Sequence, residues 1–143
     1  MAKHITTSIQ INSNLETVWD ILTDFDAYPN WNPFIKSIEG EVAEGKKITA
    51  RIGGMTFKPV VLVFEEKREL KWLGNLWVKG LFDGEHRFLL TANKDGVLFE
   101  QSEKFSGLLV PLFAKSLDQD TVKGFNEMNE LLKNRCEDLS TKA

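Results

Sequence analysis

LETVWDILTDFDAYPNWNPF, residues 15–34, decides how the rest of the chain must be arranged. Its first half is a helix with one apolar side, because Leu15, Val18, Trp19 and Leu22 recur at helical spacing. Asn14 or Ser13 can cap its start, and Glu16 falls in the first turn, where a carboxylate meets the positive end of the helix dipole. The second half, Tyr28-Pro29-Asn30-Trp31-Asn32-Pro33-Phe34, cannot continue that helix. Pro33 has no amide donor, Asn32 before it is pushed towards extended geometry, and the two prolines stiffen the segment. A stiff aromatic loop after a short helix needs a large apolar surface to rest on.

The flanking sequence supplies that surface as strands. Upstream, Ile5, Thr7, Ile9 and Ile11 alternate with Thr6, Ser8 and Gln10, the pattern of a strand with one buried face. Two short helices follow, over 14–23 and 25–30. Six further strands are expected at 35–41, 46–52, 56–65, 69–76, 81–92 and 97–106. The breaks between them, such as Glu44-Gly45, Gly53-Gly54, Lys79-Gly80 and Asn93-Lys94-Asp95-Gly96, are short and suit hairpins between consecutive antiparallel strands. From Pro111 the period becomes helical, to about residue 140, with Leu117, Thr121, Phe125, Met128, Leu132 and Leu139 on one side. The fold class is therefore α+β: a curved antiparallel sheet of about seven strands around a long C-terminal helix, with two short helices after the first strand. Where sheet and helix part, a cavity is expected. Gly124, unfavourable in mid-helix by ~1 kcal/mol relative to Ala, marks either pocket space or a notch for a neighbouring side chain.

Composition narrows the function classes. The 143 residues make one domain, 1–143, with room for a sizeable core. A net charge of −3 and the lack of a Lys/Arg run argue against nucleic acid. No stretch approaches the roughly 18 apolar residues of a membrane span, and the N-terminus lacks a signal-peptide core, so the expectation is a cytoplasmic protein without stable membrane insertion. Cys136 is the single cysteine, and His4 and His86 are the two histidines. No metal-ligand spacing or nucleophile elbow occurs, so neither a metal nor another cofactor is expected.

The element order, together with Val18-Trp19, the run from Tyr28 to Phe34, Gly80-Leu81-Phe82-Asp83-Gly84-Glu85-His86 and Phe105-Ser106-Gly107, resembles the START/Bet v 1-like (SRPBCC) superfamily. It is most similar to bacterial polyketide cyclase/dehydratase-like domains, and the resemblance covers nearly the whole chain. It implies a helix-grip fold. It leaves function open, since the superfamily includes binders, transfer proteins, cyclases and chaperone activators.

Chemistry must come from side chains that alternation turns inward. Phe82, Gly84, His86, Phe88 and Leu90 share one face of their strand, and Val97, Phe99, Gln101, Glu103 and Phe105 share one face of the next. His86, Gln101 and Glu103 thus converge inside an apolar cup. They can satisfy one another structurally, anchor the polar end of a ligand, or act as an acid/base pair, His86 and Glu103 being the catalytic candidates. Trp31, Phe57, Trp72, Phe88, Phe99, Phe125 and Met128 would hold an apolar ligand body. Trp31 and Phe34 would wall one end, and Trp77 and Phe82 would form a mouth. Met55, Phe57, Pro59, Val61 and Val63 are assigned inward. That leaves Val60, Leu62 and Phe64 as an outward row, suggesting a homodimer contact, a covered edge or a shifted register. Leu108 to Phe113 is expected to be a buried connection, with a gate over the pocket or a membrane-docking loop as alternatives. The expected function is binding of a small hydrophobic or amphipathic molecule: lipid-like, isoprenoid or aromatic polyketide-like. The alternatives are a cofactor-independent cyclase or dehydratase using His86 and Glu103, and a chaperone-activator-like interaction module with a filled interior.

Overall fold

The computed structural model describes residues 2–52, 54–76 and 80–142. Among the described residues alternating sequence gives eight strands: β1 (Ala2–Ile11), β2 (Ile35–Glu39), β3 (Thr49–Ile52), β4 (Met55–Phe57), β5 (Val60–Glu65), β6 (Glu69–Leu76), β7 (Phe82–Asn93) and β8 (Gly96–Ser106). Helical periodicity gives α1 (Leu15–Thr23), a 3-10 turn (Phe25–Ala27), α2 (Tyr28–Trp31), α3 (Val110–Ser116), a π turn (Leu117–Thr121) and α4 (Val122–Lys142). Five strands pair in the order β1-β8-β7-β6-β5 and three in the order β2-β3-β4. All pairs are antiparallel. Backbone bonds from residues 45–48 join the two groups. Gly45 N–H donates to Val61 O at 2.8 Å, Val61 N–H to Lys46 O at 2.9 Å, and Ile48 N–H to Pro59 O at 2.9 Å.

The single strand expected over 56–65 is two strands, β4 and β5, interrupted at Lys58-Pro59. Pro59 has no N–H to give the ladder, and its ring packs 3.5 Å from the position a Cβ would take on Gly74. The expected outward row is also broken up. The β5–β6 register shifts between Val61 and Val63, so residues beyond this bulge change faces. Val61 is buried, Leu62 is exposed, and Phe64 turns inward to meet the Trp19 ring at 5.5 Å. Met55, assigned inward, is exposed.

The opening stretch folds as its residues dictate. Asn14 Oδ1 accepts from Thr17 N–H at 2.8 Å, capping α1, which buries Val18, Trp19 and Leu22. The Tyr28 hydroxyl donates to Leu22 O, tying α2 back to α1. Burial, with Asp24 adding to it, pushes the Tyr28 phenol far above its ordinary range, so it stays a donor. Asn32 Oδ1 accepts from Phe34 N–H at 3.0 Å and Ile35 N–H at 2.8 Å, which turns the chain into β2. The Trp31 ring meets the Tyr28 edge at 5.4 Å and the Arg135 guanidinium at 5.7 Å. Trp31 Nε1 and Asn32 Nδ2 are buried donors with no acceptor among the described residues.

Helix α4 closes the concave face with Phe125, Met128, Leu132 and Cys136, all fully buried. Gly124 is a notch: a Cβ there would overlap the Phe34 ring, which stands edge-on to Phe125 at 5.3 Å. Two apolar clusters result. The larger lies under α1 and the middle of α4. The smaller, of Ile5, Phe105, Val110, Leu117 and Phe125, lies under α3. The segment from Leu108 to Phe113 differs from its expected burial. Gly107, at φ +119°, turns the chain so that Leu108 N–H reaches Gly80 O and Leu109 N–H reaches Leu81 O. Val110 is then buried, whereas Leu108 is 81% and Leu112 75% exposed. The helix begins at Val110 instead of Pro111.

Candidate functional site

Paired registers bring the inward polar residues together. On β7 and β8, His86 lies opposite Glu103 and Phe88 opposite Gln101. His86 Nδ1 is 2.7 Å from Glu103 Oε1, and His86 Nε2 is 2.9 Å from Gln101 Oε1. From there the chain of bonds leaves the pair of strands. Gln101 Nε2 donates to Asn129 Oδ1 on α4 at 2.8 Å, and Asn129 Nδ2 donates to Thr7 Oγ1 on β1 at 2.9 Å. The Thr7 hydroxyl donates to the backbone oxygen of Gln101 at 3.0 Å. Five side chains from three strands and a helix thus form one line through the interior, and all but Glu103 are buried.

Aromatic rings enclose the histidine. Phe88 lies 4.7 Å from it between ring centres, Phe125 5.1 Å, Trp72 5.2 Å and Phe34 6.4 Å. These are donor-poor faces around a ring that can carry a positive charge. Glu103, with 15% of its side chain exposed, is the member of the line that reaches outward. Its Oε2 makes no hydrogen bond to a described residue and lies over Gly84, where a Cβ would overlap it. Gly84, Phe82 and Phe34 on this side are half-buried.

Of the twelve residues singled out in the sequence, His86, Gln101 and Glu103 form the polar line, with Trp72, Phe88, Phe125 and Phe34 around the imidazole. Phe99 stacks on Phe88 at 5.9 Å, and Met128 is fully buried behind them. Trp31 belongs to the same large cluster. Phe82 lies nearer the α3 end, 5.7 Å from Phe105 and 5.6 Å from Phe113. Phe57 does not join the group: it is on β4, half-buried and outside both clusters. Trp77 lies outside the described residues. The wide cavity expected between sheet and helix is absent around these residues, because Phe34 fills the notch at Gly124 and the Phe88, Phe99, Phe125 and Met128 side chains expose no surface.

Thr7, Asn129 and Gly84 were not singled out as functional in the sequence. Thr7 shares its face with the buried Ile5 and lies opposite Gln101. Asn129 stands four residues after Phe125, so both signals were present. Cys136 is buried on α4. Desolvation, with Glu137 adding and Arg135 opposing, pushes its thiol up to about 12, which leaves it a packing group rather than a nucleophile. Among the described residues no three His, Cys, Asp or Glu side chains are grouped to hold a metal, and no helix is long and apolar enough to cross a membrane.

A curved antiparallel sheet gripping a long helix, with a polar line on the concave face, defines a helix-grip domain. The match to a family model over residues 2–137 makes the assignment specific: the chain belongs to the polyketide cyclase / dehydrase and lipid transport family. No curated protein sequence matches it. Solved structures share the fold. A START superfamily protein from Mycobacterium smegmatis is 23% identical, with 95% of this chain and 98% of that one covered and a TM-score of 0.69. A hypothetical protein from Helicobacter pylori is 17% identical over 95% and 88% of the two chains, with a TM-score of 0.79. The di-domain ARO/CYC StfQ from the steffimycin biosynthetic pathway is 11% identical with a TM-score of 0.80. This chain, 99% covered, spans about half (53%) of StfQ.

Proposed function

We propose that the protein binds a small hydrophobic or amphipathic molecule at the α3 end of the concave face, with the molecule's polar end on Glu103. The observation that carries this reading is the unpartnered Glu103 Oε2, held over Gly84 by a bond chain that contributes nothing to sheet pairing. The buried part of this polar line is satisfied within the protein, and the line ends at its one partly exposed member on an oxygen with no protein hydrogen bond, open to a group from outside. Phe82, half-buried two residues before Gly84 on β7 and 5.7 Å from Phe105, is an apolar contact of the kind such a site needs. Behind His86 the interior is packed, so the ligand enters by displacing Phe34 or the α3 segment. The family's description as cyclase, dehydrase and lipid-transport proteins agrees with an apolar ligand.

Native mass spectrometry of the protein purified from its own host tests the reading. A co-purifying small molecule lost in Glu103→Ala supports it. A wild-type protein that carries nothing, and binds none of a panel of naphthol-, terpenol- and acyl-type probes, overturns it.

The 2.7 Å contact between His86 and Glu103 favours a second reading, general acid/base catalysis on an enolisable or dehydratable ligand without a cofactor. Turnover of such a substrate that survives His86→Ala undiminished would exclude it.

A further inference from the structure

The bond line that ends on Glu103 has a fixed direction, and that direction selects the ligand's polar group. A backbone carbonyl oxygen can only accept, so the contact between Thr7 Oγ1 and Gln101 O commits the Thr7 proton. Thr7 Oγ1 must then accept from Asn129, which puts the amide nitrogen of Asn129 on Thr7 and its oxygen towards Gln101. The same logic puts the nitrogen of Gln101 on Asn129 and its oxygen on His86. His86 Nε2 therefore carries a proton in every state of the ring.

Two arrangements remain for Nδ1, which faces Glu103 Oε1 at 2.7 Å. If the imidazole is neutral, Nδ1 is a bare lone pair and Oε1 must bear the proton. If the imidazole is charged, Nδ1–H donates to a carboxylate. A bare Nδ1 against an ionised Oε1 would set two lone pairs against each other at hydrogen-bond distance. One proton is held between the two residues in both allowed arrangements. Oε2 is then either the carbonyl oxygen of an acid or a carboxylate oxygen, and in both cases it offers only lone pairs.

Resting on the binding reading above, the geometry points to a ligand whose polar end is a hydrogen-bond donor, an uncharged O–H or N–H. Carboxylate and phosphate ends are refused, because they would bring lone pairs and negative charge onto Oε2 beside Gly84, with no donor side chain of the line left to meet them. Free fatty acids and acidic phospholipid headgroups are excluded as occupants of this polar position. Alcohols and phenols on an apolar body are admitted.

Isothermal titration calorimetry at pH 7 with 1-naphthol, 1-methoxynaphthalene and 1-naphthoate tests the selection on one apolar frame. Naphthol is expected to bind about tenfold tighter than the ether, the value of one hydrogen bond to a charged or strongly polar acceptor, and naphthoate more weakly still. Glu103→Lys, checked for folding by thermal melting, is expected to reverse the order in favour of naphthoate. Two-bond 1H–15N spectra of His86 in the ligand-free protein at pH 7 give an independent readout: Nε2 carries a proton. A ring protonated on Nδ1 alone, or naphthoate binding the wild type as tightly as naphthol, overturns the inference while leaving a binding site in place. Failure of all three probes to bind removes the binding reading, and the inference falls with it.

Discussion

Thr7 carries a hydroxyl on the β1 face where Ile5 and Ile11 carry only hydrocarbon, and that hydroxyl anchors the polar line. Replacing it by Val keeps the shape but leaves Asn129 Nδ2 buried without an acceptor. Thr7→Val is expected to lower unfolding stability by about 1–3 kcal/mol, measured by urea denaturation. Cys136 makes a second expectation at this scale. With its thiol pushed up to about 12 and its surface covered, it should resist a disulfide reagent at pH 8 in the native protein and react once the protein is unfolded in guanidinium. Native labelling within minutes would contradict that environment. The residues on β7 and β8 were legible because a strand fixes side-chain direction with a period of two, and neighbouring strands bring equal faces together. Asn129 was harder to read. Its place on the helix was readable, but no pattern within α4 says which strand residue it will meet.

Secondary structure was legible where one period ran unbroken, and was lost where the chain changed sheet. The apolar run from Met55 to Phe64 satisfies the strand pattern throughout, yet Pro59 divides it and the bulge after Val61 reverses its phase. A period of two carries no mark of an inserted residue, so the inward and outward rows were exchanged beyond that point. α4 was legible from its stripe. The π turn ahead of it was not, because one extra residue per turn barely disturbs apolar spacing. Gly124→Ala tests helix propensity against packing. Alanine favours a helix by about 1 kcal/mol, but its methyl would meet the Phe34 ring, and overpacking costs about 1–3 kcal/mol. A net loss of about 1 kcal/mol is expected by thermal melting. The α3 segment presents Leu108 and Leu112 to solvent and buries mainly Val110, so its amides should exchange with deuterium well before those of β7 and β8.

At the scale of the whole molecule, α4 is fastened to the strand–helix corner by charge as well as by its apolar stripe. Glu137 accepts from Lys133 and from Asn12 N–H at 2.9 Å, while Lys133 donates to Gln10 O at 3.1 Å. The Lys133 bond first, then the Asn12 amide, holds the Glu137 carboxyl below the usual carboxylate range. Its contribution is therefore present above the unfolded carboxylate value and disappears as pH falls through the lower folded value. Glu137→Gln should cost about 0.5 kcal/mol at pH 7, and the gap from wild type should narrow on acidification, read from urea midpoints at both pH values. The seating of the aromatic loop was legible only in outline. Its stiffness pointed to a large apolar partner, but that Phe34 would occupy the helix notch depends on the closed curvature of the entire sheet.

The Phe34 ring in the Gly124 notch has a consequence best put in the language of competition. To any molecule that would occupy that space the protein presents a rival on a short tether, at an effective concentration on the order of millimolar or above. Every measured affinity is then the intrinsic one discounted by the fraction of time the ring is out of the notch. Selectivity among ligands is untouched, since each competes with the same ring. How much of such a molecule the protein would hold at a given concentration is set by a residue that need not touch it at all.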